Sequence, residues 1–125
     1  MKLLVKKREV EARKLILIIR ERATNEQLEE MLQVWGIFIK IVVDIERKIL
    51  AGGSGKHYEC EQELLKDGSL QRNLWGGDWN PYTQTITFES LINIRPSQNN
   101  RTMIVQSPEL RERITEITTR LLGAL

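Results

Sequence analysis

Cysteine and histidine are almost missing from this chain: one of each, Cys60 and His57, stands in 125 residues. A single thiol excludes an internal disulfide framework, and it cannot supply the several thiolates that fill a cysteine-rich zinc or iron–sulfur site. A single imidazole excludes paired-histidine metal sites and two-histidine acid/base catalysis within one chain. The thiol usage fits a reducing, cytoplasmic compartment. Long apolar runs are missing as well. The longest, Leu15 to Ile19, is bounded by Lys14 and Arg20, far short of the roughly 20 residues of a membrane span. It is also shorter than the about 7–15 apolar residues of a secretory signal, and no small-residue cleavage site follows. Neither a membrane protein nor a secreted one is expected, and no cofactor motif is present.

What remains is the composition of a globular domain, 41% hydrophobic and 29% charged, which argues against disorder and against a fibrous repeat. The length suits one domain. The net charge of +2 hides an asymmetry. Residues 1–22 hold eight basic side chains against three acids, a balance of +5, and the remainder is left at −3. Attraction to nucleic acid is therefore expected only through residues 1–22. Residues 1–14 lack periodicity and read as a basic arm, either solvated or laid on a partner, ahead of a domain spanning 15–125.

Within that domain, the β-branched run Leu15–Ile19 reads as a buried central strand. Thr24 and Gln27 form a capping-box signature, and Leu28, Met31, Leu32 and Trp35 repeat at helical spacing up to Gly36. Ile39, Ile41, Val43 and Ile45 alternate with Lys40, Val42 and Asp44, the period of a strand. Glu46-Arg47-Lys48 turns the chain, so Ile49-Leu50-Ala51 pairs back as a hairpin ending in a flexible glycine loop. Residues 57–66 predict a second helix stopped by Asp67-Gly68. Residues 69–84 read as a loop pinned by Trp75 and Trp79. Thr85–Arg95 alternates as a strand with Asn93 and Arg95 on its outer face, followed by a turn and a returning strand over 102–105. Ser107-Pro108-Glu109 caps a last helix that Gly123 closes.

Few constellations carry chemistry. Gly52-Gly53-Ser54-Gly55-Lys56 lacks the first glycine and the final hydroxyl of a phosphate loop and reads as a connection. His57 and Glu61 share a helix face at i, i+4, a pattern that serves an acid/base pair or a metal-assisted hydrolase, and equally a solvated acid-rich helix start. The densest hydrogen-bonding segment is Asn93 to Arg101. Its Arg95 and Arg101 guanidiniums can converge on a phosphate or carboxylate, with Asn93, Ser97, Gln98 and Asn100 as neutral donors. A polar hairpin tip would have the same composition.

Val43-Asp44-Ile45-Glu46, Leu64 to Ser69, Leu74-Trp75-Gly76 and above all Ser90 to Gln98 with Asn100-Arg101 resemble a small bacterial family known only as domain of unknown function 5674, over roughly Leu15 to Leu122. Asn99 stands where that family has glycine, a departure expected to alter the turn's backbone. The resemblance implies a compact bacterial domain and lends no residue a role.

The sequence thus predicts an α+β fold, an antiparallel-rich sheet of about five strands packed against two or three helices. A homodimer is expected. The leading functional expectation is a small-anion site at Asn93–Arg101, with His57 and the tryptophan loop nearby and His57 or Glu61 as base. The competing expectations are an interaction module using the basic arm and a metal-assisted hydrolase around His57.

Overall fold

The hairpin at Glu46-Arg47-Lys48 is the centre from which the sheet grows, in a computed structural model that describes residues 16–124. The basic arm at 1–14 lies outside the described residues. Strands β2 (Ile39–Asp44) and β3 (Ile49–Gly52) pair antiparallel, with Asp44 opposite Ile49. Asp44 makes the turn: its Oδ1 accepts from the backbone N–H groups of Glu46 (3.0 Å) and Arg47 (2.9 Å), and Lys48 closes the loop at φ 57°.

Strands β1 (Leu17–Ile19), β4 (Leu74–Asn80) and β5 (Thr85–Thr87) complete a five-stranded antiparallel sheet in the order β1-β3-β2-β4-β5. Alternation along β2 divides the core. Ile39, Ile41, Val43 and Ile45 face helices α1 (Asn25–Leu32) and α3 (Pro108–Leu122), together with Trp75 and Trp79 from β4. Val42 faces the other way, toward Cys60 and Leu64 of helix α2 (His57–Lys66). The expected α+β architecture is the one observed, with helices on both faces.

Three expectations need correction. The Leu15–Ile19 run is not central: among the described residues β1 lies at the edge of the sheet and pairs only with β3, and its apolar side chains pack against the helical layers on the two faces. The helix after Thr24 ends at Leu32, and Trp35 stands 46% exposed and stacks on Phe38. Residues 74–80, read as loop, are β4, buried between β2 and β5. Its Gly76-Gly77 pair looks like turn chemistry but answers a crowding demand: a Cβ on Gly77 would lie 2.2 Å from the Thr87 carbonyl oxygen, and one on Gly76 2.7 Å from Ser90 Cβ.

The alternation at 85–95 also misleads. Only 85–87 is strand, and the chain then winds through short 3-10 turns at Leu91–Asn93 and Pro96–Gln98. Asn93 and Arg95, placed on an outer face by period 2, are 0% and 9% exposed. The returning chain makes isolated bridges, Glu89 with Ile104 and Arg95 with Asn100, in place of a regular strand. The glycine connection after β3 is held, not loose: Ser54 is buried, donates to Glu59 Oε1 (2.6 Å) and accepts from the Lys56 N–H (3.1 Å).

Asp67, at the end of α2, ties three elements together. Its two oxygens accept from Arg20 and Arg47, each at 2.6 Å. These hydrogen bonds hold its carboxyl down to about 2. A carboxyl depressed in the folded state gives stability that is present above its unfolded value near 4 and is lost as the pH falls toward about 2. Asp67→Asn should therefore flatten the acid limb of the stability curve over that window, as measured by urea unfolding at successive pH values.

Candidate functional site

His57 is the first residue of α2, and the way α2 starts determines what surrounds it. Lys56 caps the helix without a side-chain hydrogen bond, and of the first-turn amides Glu59 donates to the Lys56 carbonyl (3.2 Å), which leaves those of His57 and Tyr58 without a partner among the described residues. The His57 ring is tucked against β4: Nε2 lies 2.8 Å from the Gly77 carbonyl oxygen and 3.2 Å from Asp78 Oδ1, and the side chain is 9% exposed. No described group pairs with Nδ1. The ring lines a cleft of about 540 Å³, together with Lys40, Lys56, Tyr58, Asp78 and Glu89 and an apolar wall of Leu91, Ile92 and Met103.

Lys40 and Asp78 face each other across β2 and β4, with Nζ 4.0 Å from Oδ1. The same ammonium lies 5.5 Å from the Trp35 ring centroid and 5.8 Å from that of Phe38, within reach of cation–π attraction. The stacked pair of exposed Trp35 and half-buried Phe38 therefore adjoins the polar end of the cleft. Lys40, Asp78 and Glu89 carry no site signal in the sequence, Lys40 and Glu89 falling on alternating strands and Asp78 in a segment with the composition of a loop, and Lys56 enters only through the incomplete phosphate-loop pattern.

The Asn93–Arg101 side chains are occupied in another way. Asn93 Oδ1 accepts from the Gly76 N–H (2.8 Å), and its Nδ2 is shared among the carbonyls of Gly76 (2.9 Å), Phe88 (3.1 Å) and Met103 (3.1 Å). Asn100 Nδ2 is shared among the carbonyls of Asn93, Thr102 and Ile104, and its Oδ1 accepts from the Gln106 N–H. Arg95 lies over Trp75, its guanidinium carbon 3.8 Å from the ring centroid, and donates to the carbonyls of Gln71 and Leu74 and to Gln98 Oε1. Gln98 in turn donates to the Arg72 carbonyl. Ser97 and Arg101 are exposed. Asn99 takes the left-handed conformation at φ 60°, which asparagine tolerates better than other side chains with a Cβ, so the turn keeps the backbone a glycine would give it.

Neither Arg95 nor Arg101 lines the cleft, so the structure does not bring them together with His57. Glu61 is apart from it too. It is 4% exposed, and among the described residues its Oε2 has no partner, nor has the buried Nε of Arg95. Burial pushes the Glu61 carboxyl up, an effect that the Arg95 charge and Gln71 oppose. Burial also lowers Arg95, with Glu61 opposing. Cys60 is buried and its thiol is pushed up to about 12, chiefly by desolvation, which leaves it inert as a nucleophile. Among the described residues no three His, Cys, Asp or Glu side chains gather for a metal, and no helix is long and apolar enough to cross a membrane.

A family model described as "Protein of unknown function (DUF5674)" matches residues 17–121. The chain belongs to that family. In this DUF5674 chain the matched span runs from β1 through all but the last residue of α3, so it includes both the His57 cleft and the Asn93–Arg101 segment. No curated protein and no solved structure matches the chain.

Proposed function

We propose that the cleft binds a small, partly apolar ligand through a phosphate or carboxylate group, and that His57 serves there as an acid/base group. One observation carries the reading. The Gly77 carbonyl can only accept, so Nε2 keeps its proton, and in the neutral ring the lone pair falls on Nδ1, the nitrogen left for a ligand. Asp78 orients the ring from the same side, as a third group does in nucleophile–base arrangements. Lys56 and the open amides at the start of α2 favour negative charge there. Asp78 and Glu89 balance Lys40 and Lys56 in the lining. A ligand with an apolar body to rest on Leu91, Ile92 and Met103 therefore suits the cleft better than a bare anion. A cytoplasmic setting fits the free, buried Cys60, and a homodimer would cover Trp35 and Ile37, which are 46% and 62% exposed.

The test is a thermal-shift screen against phosphorylated metabolites, nucleotides, small carboxylates and divalent metals. A ligand at about 100 times its Kd should add roughly 2.7 kcal/mol of stability. The stabilisation should disappear in His57→Ala and weaken in Lys56→Glu. A hit that survives both changes and is lost in Arg101→Ala would move the site to the turn at 96–101. A metal-dependent hit lost with His57 would favour the hydrolase reading.

A further inference from the structure

We propose that the recess beside the β2–β3 turn, walled by Lys48, Arg113 and Arg120, binds a phosphate group, at a place separate from the His57 cleft. The recess holds about 180 Å³ and is lined by Ile45, Lys48, Arg113, Glu116, Ile117 and Arg120, three cations and one acid. It lies on the α3 face of the sheet, whereas the cleft lies on the α2 face. Lys40 and the turn stand at opposite ends of β2, roughly 15 Å apart at the rise of a strand.

Helical spacing alone would neutralise this recess. Glu116 comes three residues after Arg113 and four before Arg120, positions at which a helix closes ion pairs. Among the described residues neither pair forms. Arg113 Nη2 donates instead to the Ile45 carbonyl and to Glu46 Oε1, both at 3.1 Å, and Arg120 Nη2 donates to the Lys48 carbonyl at 2.9 Å. Arg22 donates to the Arg120 carbonyl at 2.9 Å. The Lys48 carbonyl is neutral, so it holds the Arg120 guanidinium in place without cancelling its charge, whereas Arg113 is partly offset by the exposed Glu46 carboxylate. Each guanidinium keeps further N–H groups for an oxyanion, which a planar fork matches well.

Lys48 adds an independent observation. It sits at φ 57°, a conformation that glycine takes freely and that a lysine backbone resists. The turn needs no side chain there, yet it carries an exposed ammonium into the recess. Glu116 offsets part of the mutual repulsion, and with Glu46 paired to Arg113 at the rim the recess keeps a net +1, which still attracts a phosphate.

The test is a titration of the full chain with inorganic phosphate, followed by backbone amide chemical shifts, and in a second arm with a short RNA oligonucleotide at low ionic strength. Saturable shifts are expected at residues 46–48 and 113–120. Affinity for inorganic phosphate should fall about tenfold in Lys48→Gly, a variant whose backbone is relieved and whose fold is therefore retained. Arg120→Gln should act in the same direction, and His57→Ala should leave this binding unchanged, which separates it from the cleft. If RNA binds more tightly than phosphate and Lys48→Gly lowers its salt slope by about one, the phosphate belongs to a nucleic-acid backbone. If inorganic phosphate binds as tightly as RNA, the ligand is a free phosphoryl compound. Absence of saturable shifts in both arms, or binding indifferent to Lys48→Gly and Arg120→Gln, overturns the proposal.

Discussion

Replacing Asn93 with alanine should lower the unfolding free energy by about 3 kcal/mol, because it strips partners from several buried backbone groups at once. The carboxamide pairs with both the N–H and the C=O of Gly76, as a neighbouring strand residue would. It takes over where β5 stops, since β5 pairs only with Asp78, Trp79 and Asn80 of β4. Alanine leaves the Gly76 N–H facing a void that the crowded Ser90 side does not fill. Asn93→Asp is the sharper test. It keeps the shape but turns an oxygen toward the carbonyls of Gly76, Phe88 and Met103. The new carboxyl would be held above its ordinary value in the folded state, so its contribution is favourable when protonated and is lost as the pH rises through the folded pKa. Urea unfolding at pH 5 and pH 7 should find Asn93→Asp relatively better at the lower pH, and Asn93→Ala equally impaired at both. If Asn93→Ala retains full stability, the strand-mimic role is wrong.

Arg95→Ala should cost about 3 kcal/mol of stability, the scale for losing a buried hydrogen-bonded cation. Its guanidinium covers Trp75, satisfies the Gln71 and Leu74 carbonyls and faces the buried Glu61. Arg95→Lys should recover little, because an ammonium cannot cover the indole and fork to two carbonyls together. Loss of the cation should raise the Glu61 carboxyl further. By the same linkage, Arg95→Ala should weaken progressively as the pH climbs above the ordinary carboxylate range. Adding Glu61→Gln should remove that slope, which a pH series of denaturation curves would read directly. Should Arg95→Ala unfold like the parent and lose only ligand stabilisation, Arg95 is an anion-binding residue and its bracing contacts are incidental.

Local elements were legible where the signal is local. The Thr24–Gln27 capping box closes in both directions, Gly68 takes the left-handed position that ends α2, and Ser107 accepts from the Leu110 N–H at the start of α3. In each case the residues that make the contact are within four positions of one another, so spacing along the chain is spacing in space. The β2–β3 hairpin is legible for the same reason, through the Asp44 side chain and its two amide donors. At the site, His57 stood out because it is the chain's one histidine.

The misreadings share the opposite cause. Gly76-Gly77 and two tryptophans have the composition of a loop, and only the approach of residues 87–90 explains why a central strand must be bare of Cβ atoms there. Asn93 and Arg95 have the composition of a polar surface, and only a wound chain with unpaired carbonyls around it makes them interior residues. Asp78 gains meaning from Lys40 and His57, 38 and 21 positions away.

The sequence by itself determined the α+β class, the helix caps, the central hairpin and the prominence of His57, because propensity, capping and period act over a few residues. Only the tertiary structure decided that Asn93, Arg95 and Asn100 turn inward while Lys40, His57 and Asp78 open onto a cleft. Whether a polar side chain binds a ligand or the protein's own backbone depends on which carbonyls and amides the distant chain leaves unpaired beside it, and that count exists only after folding.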